Sequence, residues 1–157
     1  MAIEIVISAL QPADAGEVLT VQRAAFVSEA IIYRSVDMPP FTQTLAEVES
    51  ELRETQGWAA RVNGRLVGAI RARSAGGRLL IGRIAIAPDM QGRGIGQALL
   101  EAAERNTHAV EAELFTGSLS EANIRLYESC GYVESERVDK GDGIEEIYLR
   151  KKLRSSP

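Results

Sequence analysis

The residues whose types and spacing best suit chemistry lie in one run, Ile84-Ala85-Ile86-Ala87-Pro88-Asp89-Met90-Gln91-Gly92-Arg93-Gly94-Ile95-Gly96-Gln97-Ala98-Leu99-Leu100. Ile84 and Ile86 alternate with alanines as in a buried strand, and Pro88, which cannot donate a ladder hydrogen bond, ends it. Gly92, Gly94 and Gly96 follow, and then a helix whose apolar stripe holds Ile95, Ala98, Leu99 and Ala102. The first turn of a helix leaves backbone N–H groups without partners and carries a partial positive charge. Glycines ahead of it let an anion approach those N–H groups, because no Cβ stands in the way. Gln91 to Gln97 therefore reads as a cradle for a phosphate or pyrophosphate, and Arg93 adds a formal charge.

Known motifs narrow this reading. A Walker P-loop ends in Gly-Lys-Ser/Thr, whereas this run continues Gly-Ile-Gly-Gln. A dinucleotide fold places Gly-x-Gly-x-x-Gly after the first strand of a βαβ unit; here the spacing is Gly-x-Gly-x-Gly in mid-chain. The pattern Gln/Arg-x-x-Gly-x-Gly/Ala does fit Gln91-Gly92-Arg93-Gly94-Ile95-Gly96. With the apolar strand and proline before it, the run resembles the acetyl-CoA pyrophosphate loop of the GNAT superfamily of N-acetyltransferases. A plain strand–helix turn, its glycines serving packing alone, is the competing explanation.

A second stretch, Asn123-Ile124-Arg125-Leu126-Tyr127-Glu128-Ser129-Cys130-Gly131-Tyr132, resembles the other signature of that family, Leu-Tyr-x-x-x-Gly-Phe/Tyr. The resemblance implies that Tyr127 lies near the thioester sulfur and protonates the departing thiolate, a task a positioned O–H can perform. Many family members carry Asn seven residues before this tyrosine. That position is Ser120 here, and Asn123 lies four before it on the same helix face, so the two compete for contact with the pantetheine arm. The resemblance also implies that the backbone of Ile84, Ala85 and Ile86 pairs with the pantetheine amides, one N–H holding the oxyanion. Together with Gln91, Gly92, Arg93, Gly94, Ile95, Gly96 and Gln97, these residues make up the expected acetyl-CoA site.

The acceptor side is less legible. An amine must lose a proton before it attacks. Some relatives have a glutamate on the strand before the loop, but Leu79-Leu80-Ile81-Gly82-Arg83 contains no carboxylate. Glu29, Asp37 or a water chain remain as bases. Arg83, unusual in an apolar run, suits a substrate carboxylate, a partner acid, or a strand face reaching solvent. Ser28 to Phe41 breaks periodicity between two helices and holds Glu29, Tyr33, Arg34 and Asp37, so it is expected to wall the acceptor pocket together with the turn from Val138 to Gly143. Glu29 and Asp37, joined by Glu134, Glu136, Asp139 and Asp142, suggest an acidic mouth for a cationic amine, or merely a solvated acidic surface. No catalytic role is expected of His108 or Cys130, and Trp58 reads as core.

The positioning elements follow from pattern. Ile3, Ile5 and Ile7 alternate as a strand, and a helix begins near Pro12. Thr44-Leu45-Ala46-Glu47 is a capping box that opens a second helix. Trp58 to Val62 and Leu66 to Arg73 form a hairpin at Asn63-Gly64, and Gly76-Gly77 turns into Leu79 to Ala87. Ala112 to Thr116 is a strand, and Ser118-Leu119-Ser120-Glu121 reads as a second capping box for a helix ending at Gly131. Tyr132 to Val138 pairs with Ile144 to Leu149. The order β-α-α-β-β-β-α-β-α-β-β is α/β and resembles the GNAT fold: one mixed sheet of about seven strands with helices on both faces.

Composition bounds the rest. At 157 residues the chain is expected to be a single N-acetyltransferase domain over 1–157. A net charge of −4 argues against a general nucleic-acid partner, no apolar run is long enough to span a bilayer, and no signal peptide is evident. Lone Cys130 excludes an internal disulfide and fits the cytoplasm; with one histidine, it argues against a structural zinc site. The expectation is an acetyl-CoA-dependent enzyme without metal, acting by direct transfer on a small-molecule or peptide amine, with a homodimer left open. The alternatives are a non-catalytic acyl-CoA-binding or regulatory module, and a transferase using another acyl-CoA.

Overall fold

The structure is a computed structural model that describes residues 3–154. Seven strands form one sheet in the order β1-β2-β3-β4-β5-β7-β6. These are β1 (Val6–Ala9), β2 (Gln56–Val62), β3 (Arg65–Ala75), β4 (Arg78–Ile86), β5 (Glu111–Gly117), β6 (Val133–Gly141) and β7 (Ile144–Lys152). The helices are α1 (Ala15–Ala25), α2 (Val27–Tyr33), α3 (Pro39–Thr42), α4 (Leu45–Glu54), α5 (Ile95–Arg105) and α6 (Glu121–Ser129). Among the described residues no helix is long and apolar enough to cross a membrane.

Turn chemistry sets the meander. Asn63 and Gly64 (φ 51° and 81°) close β2–β3, and Gly76 and Gly77 (φ 57° and 80°) close β3–β4; both pairs take the left-handed conformations that two-residue hairpins need. Thr44 caps α4 as its sequence indicates: its Oγ1 accepts from Glu47 N–H (3.2 Å), and its own N–H donates to Glu47 Oε1 (3.0 Å).

Helices cover both faces. α5 lies on β2, β3 and β4, close enough that a Cβ at Gly68 would meet Ile95 Cγ2 at 3.0 Å. α1 and α4 pack on the other side. Val67, Ile70, Leu79, Leu99 and Leu100 are fully enclosed between these layers, each contributing roughly 1.5–3 kcal/mol of burial.

Three elements differ from expectation. The first strand begins at Val6 rather than Ile3; Ile3 and Ile5 pack against the core without pairing. Ser28 to Phe41 is not irregular throughout, since it contains most of α2 and α3. Their pattern misleads because Val27 and Ile31 are 50% and 72% exposed, so the apolar residues do not mark a buried face. Ser118 does not cap α6. Its Oγ accepts from Glu145 N–H (3.0 Å), and Ser120 stands at the N-cap without a capping bond, its hydroxyl engaged elsewhere.

One irregularity makes the site. β4 and β5, the only parallel neighbours among the described residues, pair over Arg78–Leu80 with Glu111–Glu113, and then part. Beyond that point β4 has a partner only on its β3 side. There the register slips between Ala69 and Arg71, a bulge that leaves Arg83 at φ 54°.

Candidate active site

The parting of β4 from β5 exposes one edge of β4. Ala87 N–H donates to Val67 O of β3 (2.8 Å). Because successive N–H groups alternate in direction along a strand, Ile86 N–H points away from β3 into the opening. The strand leads directly into the loop 87–94. Gly92 and Gly94 take φ 75° and 81°, and a Cβ built on either meets nothing within 4 Å, so the space before them is open. The first amide of α5 to find a backbone acceptor is that of Ala98, which donates to Gly94 O (3.0 Å). The N–H groups of Ile95, Gly96 and Gln97 therefore face the loop's open side. Arg65 pins the loop from outside with two bonds to Asp89 (2.8 and 2.9 Å), holding that carboxyl below the usual carboxylate range. Arg93 is exposed. Gln97 donates to Glu101 Oε1 (3.1 Å). Gly96 has a different reason to be glycine: a Cβ there would stand 3.0 Å from Leu126 Cδ2, so it lets α6 approach α5.

On α6, Tyr127 is 7% exposed, and its ring meets Tyr132 edge-on at 6.4 Å. Tyr132 is anchored. Its hydroxyl donates to Glu104 Oε2 (2.8 Å), and Lys151 bonds the same carboxylate (2.9 Å). The Tyr127 hydroxyl, by contrast, has no side-chain hydrogen bond among the described residues. Burial, reinforced by the charge of Glu29, raises its pKa above the ordinary phenol value, so it stays protonated.

Ser120 and Asn123, rivals by sequence, are held by one carboxylate. Ser120 Oγ donates to Glu29 Oε2 (2.6 Å), and Asn123 Nδ2 donates to Glu29 Oε1 (3.2 Å). Tyr33 Oη lies 2.7 Å from Ser120 Oγ and accepts from Leu119 N–H (3.2 Å). The consistent donor order runs from Leu119 N–H to Tyr33, from Tyr33 to Ser120, and from Ser120 to Glu29. Glu29 thereby ties α2 to the start of α6 and retains free acceptor positions.

These groups line a cleft of about 790 Å3 formed where β4 and β5 part, within the range of small-molecule sites. Glu29, Tyr33, Arg83, Ile84, Ser120, Asn123 and Tyr127 all reach it. Asp37 does not; it is exposed on the α2–α3 connection, its N–H bonded to Ser35 Oγ. The turn 138–143 does not wall the cleft either, because β7 inserts between β5 and β6 and carries the final hairpin's tip outward. Glu134 is spent on Arg137, and the wall is instead Glu146 and Tyr148 of β7. His108 is exposed, Cys130 is a half-buried free thiol, and Trp58 packs partly buried against the core.

Sequence reasoning missed Arg71. It is 3% exposed and lines the cleft. Its Nη2 donates to Gln22 Oε1 (3.0 Å) and Glu51 Oε2 (3.2 Å). Gln22 bonds Gln43 (3.0 Å), which bonds Glu51 (2.6 Å), closing a ring. A lone arginine in Ala69-Ile70-Arg71-Ala72 carried the same signal that marked Arg83.

Residues 29–153 match the family described as acetyltransferase (GNAT) domain. The UPF0157 protein YqkA of Bacillus subtilis (strain 168) is 28% identical over 131 residues, which are 83% of this chain and 38% of that protein. The chain thus spans well under half the length of that curated relative. The ribosomal-protein-S18-alanine N-acetyltransferase of Escherichia coli superimposes with a TM-score of 0.78 at 20% identity, covering 98% of this chain and 97% of that one. The paia N-acetyltransferase of Thermoplasma acidophilum, in complex with coenzyme A, gives 0.77 at 17% identity, over 96% and 99%. At such identities the likeness is one of fold.

Proposed function

The chain belongs to the GNAT acetyltransferase family, and on that premise we propose that it moves an acetyl group from acetyl-CoA to a primary amine of a small molecule or peptide, by direct transfer and within a single domain. The observation that carries the reading is one continuous path. The open loop amides lead back along the free edge of β4 into a cleft where the Tyr127 hydroxyl has no side-chain hydrogen bond among the described residues.

Acetyl-CoA, when bound, supplies a thioester carbonyl open to attack and a thiolate leaving group. The amides of Gly92 to Gln97 bind its pyrophosphate, with Arg93 adding charge. The backbone of Ile84 to Ile86 receives the amide-bearing arm as an added strand, beside Ser120 and Asn123. Ile86 N–H donates to the carbonyl oxygen and stabilises the charge that develops there. Glu29 takes the proton of the attacking ammonium, directly or through one water. Tyr127 gives its proton to the sulfur as the C–S bond breaks and the N–C bond forms.

The test is thiol release from acetyl-CoA by the purified protein against a panel of amines, with products identified by mass spectrometry. Amine-dependent release with an N-acetylated product is expected. Acetyl-CoA binding without release for any amine would refute catalysis and establish a binding module.

A further inference from the structure

We propose that the acceptor is a small amine that also carries a carboxylate, and that Arg83, backed by Arg71, receives that carboxylate beside Glu51. The amine half of this statement rests on the acetyl-transfer reading above; the carboxylate half stands on the cleft's own charges.

Arg71 is the first observation. It is buried among α1, α4 and β3, yet its Nε and Nη1 have no hydrogen-bond partner among the described residues. Those atoms carry one and two N–H donors of the guanidinium's five. Buried polar groups are nearly always satisfied, and an unsatisfied charged one is a standing electrostatic debt.

Arg83 is the second. It sits half-buried on the cleft wall and enters no ion pair or hydrogen bond among the described residues. Its backbone holds φ 54° at the β4 bulge, a conformation that disfavours arginine and that sets the direction of the side chain. A surface arginine would instead turn toward solvent or a neighbouring acid.

Charge balance makes the third. Arg71 and Arg83 lie close enough to repel, and burial lowers the pKa of both. Among the described residues Glu51 is the carboxylate whose charge bears on both, and it is already bonded to Arg71 and Gln43. Two guanidiniums against one carboxylate leave a local excess of one positive charge facing the cleft. A planar monoanion suits that excess and the flat guanidinium donors. Glu29 and Glu146 line the same cleft and suit an ammonium. Opposite charges on one small ligand would answer both, which argues against the purely cationic amine that the acidic sequence suggests.

The experiment compares L-amino acids with their methyl esters and their decarboxylated amines in acetyl-CoA thiol release. The carboxylates should lead by about tenfold or more in kcat/KM. Arg83→Asn, chosen because asparagine tolerates the left-handed backbone, should cut that lead to under about threefold, mainly through KM, with the melting temperature and acetyl-CoA affinity unchanged; Arg83→Gly is the second variant should the first not fold. Esters and simple amines equal to the acids, or a preference that survives Arg83→Asn, would overturn the proposal and leave the transferase reading intact. Calorimetry with N-acetyl-L-alanine against its amide separates the two ideas without turnover. Arg83-dependent binding with no thiol release for any amine would keep the carboxylate site and remove the transferase; absence of both would remove both.

Discussion

Replacing Tyr127 with phenylalanine removes one oxygen from the cleft and nothing from the core. The ring keeps its edge-on contact with Tyr132, and no side-chain hydrogen bond among the described residues is lost. Stability should therefore move by no more than about 0.5 kcal/mol, since removing an unpaired hydroxyl from a site 7% exposed breaks no pairing. Turnover should fall by about 10²–10⁴, the range for a lost general acid, which is about 2.7–5.4 kcal/mol of barrier at 1.36 kcal/mol per decade. The upper part of that range is expected, because bulk water has little access to replace the proton. The raised Tyr127 pKa adds a sign: wild-type turnover should show no loss of the acid up to the ordinary phenol value of about 10. Stopped-flow thiol release at saturating acetyl-CoA measures the rate, calorimetry the affinity, and thermal melting the fold. Wild-type turnover in the variant would refute the assignment, as would a melting loss large enough to make Tyr127 a packing residue.

Gly94→Val forces a β-branched residue to φ 81° with no atom nearby to clash; we expect a folded protein whose acetyl-CoA affinity drops about tenfold or more, read by calorimetry. Gly117→Ala would drive a Cβ into the Tyr33 hydroxyl, so the Tyr33–Ser120–Glu29 chain should break, with a loss of about 1–3 kcal/mol in denaturant unfolding. Arg61, bonded to Glu17 and Asp14, holds the Glu17 carboxyl below its ordinary value. The stability it gives is present above the unfolded pKa of about 4.3 and lost as pH falls through the lower folded value; at a half-exposed site it is under about 1 kcal/mol, and Arg61→Met should flatten that acid limb of the stability curve.

What was readable in the sequence was local. The glycine loop, the Thr44 cap and the two-residue hairpins each occupy a few consecutive residues, and local backbone preference dictates them, whereas Tyr127 stands out in the sequence by resemblance to a family signature. What was hidden depends on strand order. Nothing in Val133 to Leu149 says that β7 inserts between β5 and β6, so the final turn was placed at the cleft instead of Glu146 and Tyr148. The Ser118 pattern failed because a neighbouring strand, not its own helix, supplied the N–H. Glu29 was visible as a carboxylate in an odd segment, but its grip on Ser120 and Asn123 crosses more than 90 residues. Arg71 interrupts an apolar run just as Arg83 does, but nothing local marks its role, because Gln22 and Glu51, which hold it, lie 49 and 20 residues away.

The last strand of the sheet has a consequence for the protein's life in crowded solution. β6 ends the row with every residue exposed, so its outer N–H and C=O groups are an open invitation for another chain to add a strand. Glu134, Glu136, Arg137, Asp139 and Lys140 stand along that border, and any intruding strand must lie against this dense row of charges. Acids that look in sequence like a lure for substrate act, where the fold puts them, as gatekeepers against aggregation.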